Sequence, residues 1–383
     1  MRLVLIHLFL LFFNTLCFAA SNLEIRELRP PKIGVLSFEA MMNEQKPLAK
    51  SAMAGAVAKD GVLFATYSDS WLFSFDLQSN KYLWWTELAA PVSTSILVQQ
   101  DSLIIGLRDG HVKKVDLKSG KILWDVSLDV FSSRKLVAHL NEVYVFTASQ
   151  KLYSIDNQSG KVAWVYDAGF PDNLIISHSS PPLISGEQIY IGLNSGIVHV
   201  VSRQNGQRVG EISFASPSTE RFYDVVGELS IVGELLVYAR YDGMVQAVSR
   251  GSSTGSVAWQ KAMPAISAVH ADAGLIFLAT VSGDVYAING IDGKTLWQSR
   301  AVPGAFFIKI LADSIYVLSA NGQIVAMDPK SGAMIWIDDL GGRLAAEPFI
   351  WNGGIYITSG LNNLYSYQIR SSKFSEKNRL INN

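Results

Sequence analysis

The sequence predicts an all-β fold: an eight-bladed β-propeller of four-stranded antiparallel blades, closed by an N-terminal strand. Two observations lead to this prediction. A 17-residue stretch, clearest from Arg108 to Trp124, returns along the chain, and its apolar and polar residues alternate as in short strands. The copies end at Trp84, Trp124, Trp164, Gly210, Trp259, Trp297 and Trp336, so the successive periods are 40, 40, 46, 49, 38 and 39 residues. Repeats of about 40 residues with four strands each are typical of propeller blades.

Each copy encodes the outer half of a blade. Val112 to Leu117 alternates as a third strand, and the turn after it uses Asp116 to bond the local backbone and Gly120 to supply a positive φ angle. The segment that ends at Trp124 is the fourth, outermost strand. Its indole is large enough to fill the gap between neighbouring sheets. We therefore expect the repeated tryptophans to be packing residues rather than a stacking platform for a ligand.

Apolar runs upstream of each copy supply the inner half of the blade. Leu103 to Gly106 is a second strand, joined to the third by the Asp109-Gly110 turn, and Ser93 to Val98 holds the innermost strand. No segment after the N-terminus shows helical periodicity. An eighth copy spans residues 360–369 and stops before its tryptophan strand. We expect Ile33 to Phe38 to pair with it and close the ring.

The chain divides into four predicted parts. Residues 1–19 have the pattern of a signal peptide: Arg2, an apolar run from Leu3 to Phe13, and small residues before a cleavage site after Ala19. Residues 20–32 are a polar tether, residues 33–370 form the propeller, and residues 371–383 are a polar tail. The signal predicts export to the periplasm.

Cys17, the single cysteine, allows two interpretations. If cleavage follows Ala19, it is removed, and no thiol remains for disulfides, thiol catalysis or thiolate metal sites. Alternatively it is the lipid-attachment cysteine of a bacterial lipoprotein, although the residues before it, Asn14 to Leu16, fit that pattern poorly. The sequence leaves both interpretations open.

Charge and residue spacing argue against several classes of ligand. The formal net charge is −1 and there is no basic run, so nucleic acid is not expected as a partner. The histidines are scattered without the spacing of metal ligands, and the Asp-Gly turns lack the dense acidic spacing of a calcium loop. Pairs such as Ser119-Gly120 lack the context of a phosphate-binding loop. We expect no metal ion and no cofactor.

Two of the periods, 46 and 49 residues, are longer than the others. Their extra residues fall at adjacent junctions, between the outermost strand of one blade and the innermost strand of the next. Because strands alternate in direction, both connections should emerge on the same face as the Asp-Gly turns. Insertions on one face of a repeat protein often mark its binding surface.

The two long connections hold the predicted partner-binding residues. These are Leu174, Ile175 and Ile176 in the first connection and Arg221, Phe222, Tyr223 and Asp224 in the second. Apolar and aromatic side chains beside an arginine and an aspartate have the composition of an interface core with a polar rim. In the alternative interpretation, residues 174–176 form an ordinary inner strand and the two aromatic residues pack into the blade below.

The Asp-x-x-Ser-Gly-Lys-x-x-Trp ending of the repeat resembles the blades of pyrroloquinoline-quinone-type propellers. Within that group, nearly the whole predicted mature chain is similar to the BamB family, the propeller subunits of the outer-membrane β-barrel assembly machinery. The most specific stretch is Ser218 to Val226, followed by Val237 to Gly243. It is similar to the family's Ser-Thr-Glu…Arg-Leu-Ser-Asp-Val-Asp segment. The resemblance implies a non-catalytic scaffold at the inner face of the outer membrane, monomeric within a complex.

In the family this segment contributes to docking on the POTRA domains of the barrel-forming subunit. Arg221 and Asp224 match the family motif, whereas Val226 stands where the family has a second aspartate. Ile176 replaces the arginine of a second docking loop, which implies a more apolar contact around blades 4 and 5. The resemblance also suggests unfolded outer-membrane proteins as clients, bound along strand edges.

Two other functions stay open at the level of the sequence. Quinone-dependent dehydrogenases use the same blades, but they are usually much longer and place an adjacent Cys-Cys pair and an acidic calcium site over the cofactor. This chain has one cysteine and no such acid cluster, so we expect no enzyme. A periplasmic propeller that binds another protein or a cell-wall component is also compatible with the fold.

Overall fold

The computed structural model describes residues 32–37, 53–67, 70–128, 135–169, 180–213, 224–250, 255–311, 313–342, 344, 347–351, 354–358 and 363–368. These residues form 32 β-strands in eight four-stranded sheets, and no helix occurs among them. Every neighbouring pair of strands within a sheet is antiparallel. The predicted eight-bladed all-β propeller is confirmed.

The described part of the chain begins with strand β1 (Lys32–Ser37), and the first four blades follow it. Their strands are, for blade 1, β2 (Met53–Lys59), β3 (Val62–Tyr67), β4 (Trp71–Asp76) and β5 (Lys81–Glu87); for blade 2, β6 (Leu97–Val98), β7 (Ser102–Gly106), β8 (His111–Asp116) and β9 (Ile122–Ser127); for blade 3, β10 (Val137–His139), β11 (Glu142–Phe146), β12 (Lys151–Asp156) and β13 (Val162–Asp167); for blade 4, β14 (Leu183–Ser185), β15 (Gln188–Gly192), β16 (Val198–Ser202) and β17 (Arg208–Ile212).

The second half of the ring repeats the pattern. Its strands are, for blade 5, β18 (Val225–Val232), β19 (Leu235–Arg240), β20 (Met244–Ser249) and β21 (Val257–Ala262); for blade 6, β22 (Ile266–Asp272), β23 (Leu275–Thr280), β24 (Asp284–Asn289) and β25 (Thr295–Arg300); for blade 7, β26 (Ala305–Leu311), β27 (Ser314–Ser319), β28 (Gln323–Met327) and β29 (Met334–Asp339); for blade 8, β30 (Phe349–Trp351), β31 (Gly354–Thr358) and β32 (Asn363–Gln368).

The N-terminal strand completes the last blade. In blade 8 the strand order is β1-β32-β31-β30, so β1 occupies the outermost position that the fourth strand takes elsewhere. Val35 pairs with Tyr365 and Leu36 with Leu364. The predicted closure by residues 33–38 is confirmed for residues 33–37. Phe38 lies outside the described residues.

The core lies between the blades, because the second and third strands are covered on both sides. In β7 every residue is buried, and in β4 the four central residues are buried. The outermost strands are only half covered: in β13 exposed and intermediate residues alternate over the last five positions. Both side-chain directions of the middle strands therefore serve the packing of neighbouring sheets.

One contact joins successive blades repeatedly: a tryptophan lies on the turn glycine of the next blade. Gly120 has a φ angle of 71°, and a Cβ atom there would lie 2.5 Å from Trp84 Cε3. The Trp84 indole N–H also donates to the carbonyl of Leu117 at 3.1 Å. The same arrangement joins Trp124 to Gly160 and Asn157, Trp164 to Gly206 and Arg203, Trp259 to Gly293 and Gly290, and Trp297 to Gly332 and Pro329. The predicted packing role of these tryptophans is confirmed.

The junction between blades 4 and 5 lacks this contact. Gly210 pairs with Val200 in the register position that tryptophan holds in other blades. Ile212 lies over the turn glycine instead, with its Cγ2 atom 3.2 Å from the Cβ that Gly255 would carry. Beside it, the fully buried Gln246 donates to the carbonyl of Ser213 at 3.1 Å. This junction is held by a smaller apolar side chain and by buried polar contacts.

A candidate partner-binding face around blade 4

The connections between successive blades emerge on one face of the ring. After the outermost strand of blade 3, the Ala168 N–H donates to the Gln150 carbonyl, in the turn between the second and third strands, at 3.0 Å. In blade 6 the Ala301 N–H donates to the Gly283 carbonyl in the same way, at 2.8 Å. Equivalent bonds start from Leu88, Leu128, Met263 and Leu340. We call this side of the propeller the connection face.

Two long connections bracket blade 4 on this face. Residues 168–182 link β13 to β14, and residues 213–224 link β17 to β18. Residues 263–265 and 301–304 are the corresponding short links after blades 5 and 6, and the links after blades 1, 2 and 7 have nine residues each. The predicted placement of both insertions, between an outermost strand and the next innermost strand on adjacent junctions, is confirmed.

Most of the predicted binding residues lie outside the described residues. This holds for Leu174, Ile175 and Ile176 in the first connection and for Arg221, Phe222 and Tyr223 in the second. Asp224 is described, and it is 3% exposed. Its carbonyl accepts a hydrogen bond from the Tyr241 N–H at 2.9 Å. The sequence predicted an aspartate at a polar rim, whereas the structure buries Asp224 at the foot of the second connection, where it fixes the end of that segment.

A buried ion pair supports the turn beside Asp224. Arg240 ends β19, and its Nε and Nη2 atoms donate to the two carboxylate oxygens of Asp242 at 3.0 and 2.6 Å. Both side chains are 5% exposed. A two-pronged pair between a guanidinium and a carboxylate has fixed geometry. Because Val225 pairs directly with Arg240, the ion pair holds the entry of blade 5 in a defined position.

Gln150 ties blade 3 to blade 4 at the other long connection. The residue is buried and adopts a φ angle of 59°. Its Nε2 atom donates to the carbonyl of Gly169, at the start of the connection, at 3.3 Å. Its Oε1 atom accepts from the Asn194 N–H, in the blade 4 turn, at 3.2 Å. One side chain thus fixes the first connection against the turn of the next blade. The sequence did not single out this residue.

Asn194 differs from the residues at the same position of other turns. It is 8% exposed, while Arg108, Val281 and Ala320 are exposed. Within the described part of the chain, its side-chain amide has no hydrogen-bond partner. The adjacent Leu193 carbonyl accepts from the Val225 N–H at 3.0 Å, so Asn194 lies between the ends of the two long connections. An amide with a donor and an acceptor can pair with the main chain of a polypeptide.

The described residues lack two other kinds of feature, a metal-binding group of side chains and a membrane-spanning helix. They contain no group of three or more His, Cys, Asp or Glu side chains that could hold a metal ion. Over the same ranges, no helix has the length and apolar character needed to span a bilayer. At the connection face, hydrogen-bonded turns and a buried ion pair hold the ends of the two long connections.

Comparisons with known proteins identify the family. The family model described as outer membrane protein assembly factor BamB matches residues 39–164, 68–299 and 284–373. The protein of that name from Kangiella koreensis is 34% identical over 309 residues, which is 80% of this chain and 76% of the relative. The crystal structure of BamB from Moraxella catarrhalis has a TM-score of 0.72 at 18% identity and covers 89% of this chain and all of that chain, which shows a shared fold.

Other curated relatives match more briefly. Outer membrane protein assembly factor BamB from Pseudomonas aeruginosa is 24% identical over 206 residues, which is 51% of this chain and 53% of that protein. The chain thus spans about half the length of that relative. The family match nevertheless covers most of the propeller, and the chain therefore belongs to the family of outer membrane protein assembly factor BamB.

Proposed function

We propose that this chain is a non-catalytic binding subunit of the outer-membrane β-barrel assembly machinery. It docks on the POTRA domains of the barrel-forming subunit through the connection face, around blades 4 and 5. It works in the periplasm, at the inner face of the outer membrane, as one copy within a larger complex. Extended segments of unfolded outer-membrane proteins are its second class of partner.

One observation carries this proposal: the two longest connections of a BamB-family propeller emerge side by side on one face. Their roots are fixed by Gln150 on one side and by the Arg240–Asp242 pair on the other. Binding segments held on a rigid support lose little conformational entropy on docking. The connection face therefore needs little rearrangement when it binds a protein partner.

Strand edges support the second class of partner. The outermost strands leave one edge without a neighbour in the sheet order, and they expose apolar side chains such as Leu83, Leu123 and Leu296 at 54%, 54% and 53%. An extended segment with alternating apolar residues can add to such an edge through main-chain hydrogen bonds. Barrel strands have this alternation.

The docking proposal is tested by binding to the purified POTRA domains of the cognate barrel subunit. We expect Arg221→Glu combined with Phe222→Ala to weaken binding at least tenfold. Arg208→Glu is the matched control, because Arg208 is an exposed blade 4 arginine on the outermost strand, and it should bind like the unchanged protein. Undiminished binding by the double variant, with an unchanged circular dichroism spectrum, would place the docking site elsewhere.

A separate experiment addresses the enzymatic alternative. Pyrroloquinoline quinone and calcium are added to the purified protein together with an alcohol and a redox dye. We expect no dye reduction and no change in the absorption spectrum of the quinone. Reduction of the dye would support a dehydrogenase instead.

A further inference from the structure

Five charged or titratable side chains from five blades meet at the central channel. Lys135 precedes the innermost strand of blade 3, Glu228 lies on that of blade 5, His270 on that of blade 6 and Lys309 on that of blade 7, and Glu347 precedes that of blade 8. Lys135 Nζ donates to Glu228 Oε1 at 2.6 Å, and His270 Nδ1 lies 3.6 Å from Glu228 Oε2. Lys309 and Glu347 act on this pair through their charges.

The pair joins blades that are not neighbours. Lys135 and Glu228 are 93 residues apart in the chain, and the whole of blade 4 lies between them. The innermost strand of blade 4, β14, has three residues and is preceded by Pro181 and Pro182, which cannot donate to a ladder.

A β-bulge directs Glu228 toward Lys135. The register between β18 and β19 shifts between Val226 and Ser230. Gly227 adopts a φ angle of 70°, and its carbonyl accepts a hydrogen bond from Ser180 Oγ, at the end of the first long connection, at 2.6 Å. Bulges re-aim side chains and recur beside functional sites. The bulge thus contacts the first connection, and Glu228 lies four residues after Asp224, the last residue of the second.

Electrostatics keep the pair charged. Burial raises the pKa of Glu228, but the contact with His270 and the charge of Lys135 outweigh burial and lower the pKa to about 2. Burial lowers the pKa of Lys135, but Glu347 and Glu228 outweigh it and raise that pKa. Both partners are about one-third exposed, at 32% and 37%. The ion pair is therefore present throughout the neutral range.

We infer that the Lys135–Glu228 ion pair is a latch that spans blade 4 and holds the described ends of the two long connections, at Ser180 and Asp224, in position for docking. The docking part of this inference rests on the proposed function. The latch adds a contact at a junction that lacks the usual packing. At the outer edge of the junction between blades 4 and 5, Gly210 and Ile212 replace the tryptophan contact. The channel end of blade 4 is then held by charge, while its rim is held by packing with blade 3.

The latch is tested in the full chain by hydrogen–deuterium exchange and by affinity for the POTRA domains. Glu228→Gln keeps the shape and removes the charge, and Lys135→Met removes the other partner. We expect each variant to speed amide exchange in residues 180–185 and 224–232, where the described ends of the two connections enter blades 4 and 5, and to raise Kd about tenfold, which corresponds to ~1.4 kcal/mol. The double variant should resemble either single variant, because one contact is lost in all three. Lys330→Met is the control, because Lys330 is an exposed lysine in the turn between β28 and β29, outside this cluster, and it should change Kd less than twofold.

Separate outcomes test the latch and the docking proposal. Unchanged exchange in residues 180–185 and 224–232 of Glu228→Gln and Lys135→Met would overturn the latch. So would additive effects of the two substitutions. If the unchanged protein does not bind the POTRA domains at all, the docking proposal fails, while the exchange measurement on the free chain still decides whether the latch holds the connections.

Discussion

Five of the eight junctions between blades use the same tryptophan–glycine contact among the described residues, whereas the junction of blade 4 with blade 5 and the two junctions of the closing blade 8 do not. Between blades 7 and 8, Trp336 stacks on Tyr367 instead, with ring centroids 5.0 Å apart. At the junction of blades 4 and 5, Gly210 occupies the position of the tryptophan. At the junction of blades 8 and 1, the outermost strand comes from the other end of the chain, and an aromatic cluster of Phe73, Tyr82 and Trp85 in blade 1 lies against blade 8. The departures from the repeated contact thus lie at the blade that closes the ring and at the junction that carries the second long connection, whereas the junction that carries the first keeps the contact through Trp164.

The closing junction is the one whose loss should have the largest effect. Deleting residues 33–38 removes the outermost strand of blade 8 and leaves β32 unpaired on one edge. We expect Tm to fall by roughly 5–10 °C, because several kcal/mol of stability are lost and 1 kcal/mol shifts Tm by about 2–4 °C in domains of 150–250 residues. Thermal unfolding followed by circular dichroism measures this. Deleting residues 371–383, the predicted tail, should leave Tm unchanged.

The repeated junction can be tested by adding one methyl group to its glycine. Gly120→Ala places a Cβ 2.5 Å from Trp84, on a residue with a φ angle of 71°. We expect a loss of about 2–5 kcal/mol of unfolding free energy, from about 1–2 kcal/mol of backbone strain and about 1–3 kcal/mol of overpacking. Urea denaturation measures it. Gly274→Ala is the control. Gly274 has a φ angle of 82°, and a Cβ atom added there would have no neighbouring atom within 4 Å, so this variant reports the backbone strain alone.

The exceptional junction should respond differently to the same change. At Gly255 the added Cβ would lie 3.2 Å from Ile212 and from Val248, and no indole covers it. We expect Gly255→Ala to cost about 1–2 kcal/mol, close to Gly274→Ala and below Gly120→Ala. Equal losses at Gly255 and Gly120 would show that the junction of blades 4 and 5 is as tightly packed as the others.

The turn of blade 4 should gain stability from an apolar replacement. The Asn194 amide is buried without a hydrogen-bond partner among the described residues, and such a group costs about 1–3 kcal/mol. We expect Asn194→Leu to raise the free energy of unfolding by about 1 kcal/mol in urea denaturation and to weaken POTRA binding. Val281→Asn, at the equivalent exposed position of blade 6, should change stability by less than about 0.5 kcal/mol. A loss of stability in Asn194→Leu would mean that the amide is satisfied in solution.

The smallest expected effect concerns pH and the latch. The pKa of Glu228 is lowered from 4.5 to about 2 in the folded protein, so folding favours the ionised carboxylate. Its stabilising contribution is complete above pH 4.5 and is lost as the pH falls through 2. The Tm difference between the unchanged protein and Glu228→Gln should therefore be constant above pH 5 and shrink below pH 4. A difference that grows on acidification would contradict this assignment.

The repeat predicted the ring because each blade is encoded locally. Asp116 and Gly120 form the expected turn, with Asp116 Oδ1 accepting from the Ser119 N–H at 2.7 Å, and the incomplete eighth copy predicted the closing strand. Contacts between blades that are not neighbours leave no repeated pattern in the sequence. Lys135 and Glu228 meet only because eight blades close into a circle. The composition of residues 221–224 predicted partner-binding residues, and this stays a prediction because residues 221–223 lie outside the described residues. Composition does not indicate how deeply a side chain is buried, and it did not foresee that Asp224 is buried.

The most direct test of the account is photo-crosslinking from two positions of one blade. A benzoylphenylalanine at Asp167 lies on the connection face, and one at Asn141, in the turn between β10 and β11, lies on the opposite face; both positions are exposed. We predict a crosslink to the POTRA-bearing barrel subunit from Asp167 and none from Asn141 in native envelopes. A crosslink from Asn141 with none from Asp167 would contradict docking through the connection face.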